Sequence, residues 1–222
     1  MIHPTAIIHE AAIIGQGCHI GPYCVIGEHV QMGQGNHLHS HVVVDGHTQI
    51  GDDNTFFPFS TIGMRTQDLK WEGGVTHTRI GDRNTIREHV SIHSATGEGD
   101  ATCIGSDNHL LAYVHIAHDV QLGNHIIMSN VATLAGHIVV EDHVVIGGLA
   151  GIHQFCRVGS YSFLSRAAKV VQALCELALT LTRFSEKDCK EHIGIAVLNV
   201  KQRFFDYDDV ANKGPNKENF RR

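Results

Sequence analysis

A chain of 222 residues, 42% hydrophobic and 18% charged, is long enough to bury a core in one or two domains. A net charge of −6 at pH 7, with no basic tract, argues against a nucleic-acid partner. No run is long and apolar enough for membrane insertion, no secretory leader pattern opens the chain, and the 6 cysteines form no CxxC pair, so reduced thiols and a cytoplasmic location are expected.

The dominant pattern starts at Ile2. Every sixth residue is bulky and apolar: Ile2, Ile8, Ile14, Ile20, Ile26, Met32, Leu38, Val44, Ile50, Phe56 and Ile62. The same phase returns at Ile80, Ile86 and Ile92, then runs from Ile104 through Ile116, Leu134 and Ile152 to Val170. Asp68, Gly74 and Glu98 interrupt it. A period of six is neither a helix stripe nor a strand alternation; it predicts an all-β solenoid, a parallel β-helix of hexapeptide repeats. Each hexad reads as a short strand plus a turn. Three hexads, about 18 residues, close one coil. Glycine often follows the apolar slot, as at Gly15, Gly21 and Gly81, where a missing Cβ suits a tight corner.

Two polar, Gly-rich stretches, 63–79 and 93–103, leave the pattern and return in phase; they read as loops projecting from the wall. After Val170 the period dies at Glu176. Residues 1–172 are therefore assigned to the solenoid and 173–222 to a tail, partly helical (171–184 is apolar) or disordered at the polar end ANKGPNKENFRR.

The 19 histidines need sorting. His29, His47 and His125 read as harmless residues at outward or corner positions. The segment YVHIAHD (113–119) is different. With coils of about 18 residues, His118, Gly136 and Gln154 fall in one column, and Asp119 and His137 in the next, with His153 beside Gln154. A histidine can take a proton from a hydroxyl near neutral pH, a carboxylate can orient it, and a glycine N–H can stabilise an oxyanion. No Ser or Cys is placed as nucleophile, so direct transfer between two bound substrates is the simpler scheme. The rival chemistry is zinc held by imidazoles, with HLHSH (37–41) or His115, His118 and His137 as ligands, as in hydrolyases of the gamma carbonic anhydrase type.

The runs SHVVVDGHTQIGDDN (40–54), QDLKW (67–71), IGDRNTIREHVSIH (80–93), HIAHD (115–119), ATLAGH (132–137) and IHQFC (152–156) resemble the acyl-carrier-protein–UDP-N-acetylglucosamine O-acyltransferase family, from about residue 2 to 172. That resemblance implies a left-handed coil and a homotrimer with clefts between solenoids. It implies transfer of a 3-hydroxyacyl group from acyl carrier protein to the glucosamine 3-hydroxyl of UDP-N-acetylglucosamine, the first step of lipid A synthesis. His118 would be the general base, Asp119 its support and Gly136 the oxyanion donor. Gln67, Asp68 and Lys70 would bind substrate, and His115, His137, His153 and Gln154 would line the cleft. Neither metal nor cofactor is expected. The chain departs from the family in two places. Arg166 stands where a small or apolar residue usually limits the acyl groove. The Pro-rich turn and the Asn- and Arg-bearing motifs that normally follow KVVQ (169–172) are missing. An inactive, binding-only homologue is therefore the alternative to an active enzyme.

Overall fold

The structure, a computed structural model, describes residues 1–171. The expectations for the tail, 173–222, lie outside the described residues.

The described chain is a left-handed parallel β-helix of triangular section. A nine-stranded first sheet runs from Ile7–Ile8 to Lys169–Val170. An eight-stranded second sheet runs from Ile13–Ile14 to Arg157–Val158, and an eight-stranded third sheet from His19–Ile20 to Phe163–Leu164. Most strands are two residues long, one pointing out and one pointing in, and the residue two before the inward one is buried as well, as at Val30, Val90 and Val114, so most hexads give the core two side chains. Ile26, Leu38, Ile62, Ile116, Leu134 and Ile146 are fully or almost fully buried. Burying each such side chain contributes about 2–3 kcal/mol, and the core is a stack of these contributions, each touching only the coils above and below.

The insertions are shorter than expected. Strands Thr61–Met64 and His77–Ile80 eat into the first, leaving 65–76 as loop; Ser91–His93 and Ala101–Ile104 leave 94–100 of the second. Thr78 and Thr102, outside the hexad phase, are buried and paired in register. The insertions also change which coil lies above which. Hydrogen-bonded neighbours are 18 residues apart below the first loop, 30 apart across it and 24 apart across the second.

The corners need the missing Cβ of Gly15 and Gly21 because of close packing and not because of φ: neither has positive φ, and a Cβ there would overlap the backbone of the next coil. The left-handed conformation falls two residues further on, at Tyr23, His41, His89, Asp119 and His137 among others. Side chains rarely adopt that conformation, and here many of them stack as rings up each corner. Tyr23, His41, Phe59, His89 and Tyr113 form one such column, with centroids 4.6–5.1 Å apart. His125, His143 and Tyr161 form another, 4.8 Å apart. His29 and His47 also stack, at 4.1 Å, but without positive φ and with His47 in strand His47–Ile50, so the three histidines read as harmless all stack on neighbours.

Candidate active site

His118 and Asp119 lie on the corner that joins the first sheet to the second. Strand His115–Ile116 leads into it, anchored by fully buried Ile116. Asp119 takes φ 61°, which turns its carboxylate back beside the preceding ring. Its N–H donates to Thr102 Oγ1 at 2.8 Å, and its carboxylate accepts the Thr96 N–H at 3.2 Å. His118 Nδ1 donates to Asp119 Oδ2 at 2.7 Å. A carboxylate can only accept, so the proton sits on Nδ1 and the Nε2 lone pair faces away. The Asp68 carboxylate is 3.8 Å from Nε2, too far for a hydrogen bond but close enough to offset positive charge on the ring.

The next coil supplies Gly136 and His137, as the column reading expected. A Cβ at Gly136 would overlap His118 Cε1, so glycine is what lets the ring lie against the backbone. Gly136 is buried, and among the described residues its N–H makes no hydrogen bond. His137 stands edge-on to His118 with centroids 5.1 Å apart, 3.7 Å from Asp119 Oδ2, and stacks on Phe155 above at 4.7 Å.

The two loops lean on one another beside this corner. Thr66 and Thr96 hydroxyls meet at 2.9 Å, and Gly99 N–H donates to Val75 O at 2.8 Å. Asp68 is held by its own N–H donating to Thr66 Oγ1 and by Lys70 N–H donating to its carboxylate, both at 3.0 Å. Gln67, Leu69 and Lys70 point into solvent.

His115 lines the adjoining face of the first sheet. Its Nδ1 is 2.8 Å from Ser91 Oγ, and its ring meets His93 edge-on at 5.1 Å. Burial, with the His118 charge second, pushes the His115 pKa down. His93 is buried, and burial followed by His115 and His118 pushes it to about 4, so both rings are neutral near pH 7. Ser91, His93, Thr96 and Thr102 escaped the sequence reading. Ser91, His93 and Thr96 lie 22–24 residues below their neighbours, an offset that column arithmetic at 18 does not reach, whereas Thr102 lies only 17 below Asp119 and was passed over because it bears no titratable group.

Known proteins resemble the chain as follows. A family model described as the GMPPB C-terminal domain matches residues 2–97. The curated acyl-carrier-protein–UDP-N-acetylglucosamine O-acyltransferase of Herminiimonas arsenicoxydans is 51% identical over 173 residues, 78% of this chain and 66% of the relative, so the chain spans slightly less than two thirds of that protein. The Burkholderia lata protein of the same name is 43% identical over 211 residues, 95% of this chain and 79% of the relative. The chain belongs to the UDP-N-acetylglucosamine O-acyltransferase family. A crystal structure titled UDP-N-acetylglucosamine acyltransferase superposes on this acyltransferase homologue with a TM-score of 0.77 at 42% identity, over 78% of this chain and 67% of the other. LpxA from Acinetobacter baumannii gives 0.75 at 48% identity over 77% and 66%. The 211-residue match necessarily runs past residue 172, into the segment that the sequence set apart.

Not every expected site residue of this acyltransferase homologue comes together within one chain. His153 and Gln154 are exposed one coil above His137, where His153 Nδ1 meets only the Gln154 carbonyl at 3.2 Å. Arg166 is exposed on a different corner, the one joining the third sheet to the first. The histidines of HLHSH do not converge: His37 and His39 stack at 4.4 Å while His41 belongs to the Tyr23 column. Nor do three imidazoles. Among the described residues the set that could share an ion is His118, Asp119 and His137, with His115 occupied by Ser91.

Proposed function

We propose that the chain transfers a 3-hydroxyacyl group from acyl carrier protein to the glucosamine 3-hydroxyl of UDP-N-acetylglucosamine, as the first step of lipid A synthesis in the cytoplasm, with no metal or cofactor. The observation that carries the reading is the His118 Nδ1–Asp119 hydrogen bond of 2.7 Å beside the Gly136 N–H, which has no partner among the described residues. Asp119 fixes the tautomer, so Nε2 takes the proton of the 3-hydroxyl as its oxygen attacks the thioester carbonyl. Asp119 and Asp68 flank the imidazolium. The tetrahedral oxyanion accepts the Gly136 N–H. Collapse breaks the C–S bond, and His118 Nε2–H returns its proton to the leaving thiolate. Gln67, Asp68, Lys70, His115, His137, His153 and Gln154 would hold the two substrates, and Arg166 would cap the acyl groove.

A homotrimer follows from the same reading. It is supported by Arg166 and His118 lying on different corners, so that a groove touching both needs two chains, and by Leu69, which is 100% exposed on the loop beside His118. Among the described residues no helix is long and apolar enough to cross a membrane.

The test is direct. Purified protein is given 3-hydroxyacyl carrier protein and UDP-N-acetylglucosamine, and the acylated sugar nucleotide is measured by mass spectrometry. His118→Ala should lower the rate by about 10²–10⁴-fold with the solenoid still folded, because the ring lies outside the apolar core. A mutant retaining more than about a tenth of the rate overturns the assignment.

A further inference from the structure

We propose that His118, Asp119 and His137 also form a binding site for a divalent transition-metal ion of the zinc class, and that the ion disables His118 as a base. Nothing in the proposed transfer calls for such an ion; the three side chains offer the site because of how the corner folds.

The donor set suits zinc: two imidazole nitrogens and one carboxylate oxygen, all within 4.8 Å of one another. Tetrahedral zinc holds such ligands at about 2.0–2.2 Å, which places ligand atoms about 3.3 Å apart. The observed separations from Asp119 Oδ2, 2.7 Å to His118 Nδ1 and 3.7 Å to His137 Nε2, bracket that spacing. Opening the first and closing the second by about half an ångström each brings both nitrogens to that spacing from Asp119 Oδ2. The central ligand is already oriented from behind. Asp119 accepts the Thr96 N–H, and its own N–H is held by Thr102 Oγ1, contacts of the kind that position a metal-bound carboxylate. His137 has 39% of its side chain exposed, so the ion can enter from solvent and keep an open fourth position for water.

The consequence follows from the tautomer. In the apo corner the Nδ1 proton is donated to Asp119 and Nε2 carries the lone pair. A metal ion takes the lone pair of Nδ1. One proton leaves Nδ1 to solvent and one is taken up at Nε2, so the ring stays neutral but now presents Nε2–H to the cleft. A ring in that state can donate a hydrogen bond and cannot accept the proton of a hydroxyl. The ion therefore inhibits, which separates this site from a catalytic zinc that activates water. Inhibition rests on the reading of His118 as general base; metal binding does not.

The test uses full-length protein without a His tag and zinc chloride alone as probe. Equilibrium dialysis should show one tight site per chain whose affinity falls about tenfold or more in Asp119→Asn and in His137→Asn. His37→Ala with His39→Ala, which removes surface imidazoles elsewhere, should leave it unchanged. Ring ¹⁵N NMR of the wild type decides independently of whether the variants fold: His118 should change from Nδ1–H to Nε2–H on adding one equivalent of zinc. Zinc uptake indifferent to both corner variants, or an unmoved His118 tautomer, means adventitious binding to surface histidines only and overturns the site. In acyl-transfer assays zinc should inhibit and a chelator should restore the rate. Protein that binds zinc as described yet transfers no acyl group would sink the proposed function and leave the metal site standing.

Discussion

Gly136 shows how much one hydrogen atom can decide. Its φ is ordinary, so alanine fits the backbone, but the added Cβ would overlap the His118 ring. Gly136→Ala should therefore keep its melting temperature while the ring swings off Asp119. A rate loss of about 10²-fold or more is expected in kcat, with binding of the sugar nucleotide, read by calorimetry, changed much less. Full activity would show that the ring does not need that berth. His93 supplies a pH dependence. Its folded pKa is about 4 against 6.5 for a free imidazole, so the unfolded chain takes up the proton first as pH falls. Stability is then complete above about pH 6.5 and lost progressively down to about pH 4, by at most about 3 kcal/mol. His115, shifted the same way, adds to the slope. His93→Gln should flatten the dependence of melting temperature on pH across that window.

At the scale of strands and corners, apolar columns are not the whole frame. Asn36, Asn54, Asn84 and Asn108 form a buried ladder up the corner between the second and third sheets. Asn84 donates to Asn54 Oδ1 and to Gly105 O at 2.9 Å each and accepts the Asn108 N–H at 2.9 Å. Each group left unpaired in such a place costs about 1–3 kcal/mol. Asn84→Ala should therefore lower the melting temperature by several degrees, with little change in activity measured well below the transition. The apolar slots are harsher. Ile116→Asp places an uncompensated charge in the core and should abolish folding; a soluble variant with unchanged melting would refute the hexad phase.

For the whole molecule, sedimentation should give a mass of three chains. Chelator treatment should leave acyl transfer undiminished, since no step of the transfer uses a metal; stoichiometric zinc that is lost together with activity on chelation would reopen the hydrolyase alternative. Deletion of residues 185–222 should leave the melting transition of the solenoid in place, because the described coils carry a core up to Val170, which is fully buried. Loss of folded protein on that deletion would show that the core depends on the tail.

The sequence alone determined the solenoid, its phase, its core and the meeting of His118 with Gly136 and of Asp119 with His137. The reason is local: in a repeat each core position recurs at a constant spacing, and above residue 104 no insertion disturbs it. Tertiary structure decided the rest. The lengths of the two loops set which coils stack, and so brought Asp68 to His118 and Thr96 to Asp119 and put Ser91 and His93 under His115. The asparagine ladder was hidden for the same reason, since its rungs are 18, 30 and 24 residues apart. The handedness of the coil is absent from any period, because a six-residue repeat decides which side chains face inward and not the sense in which the coil winds.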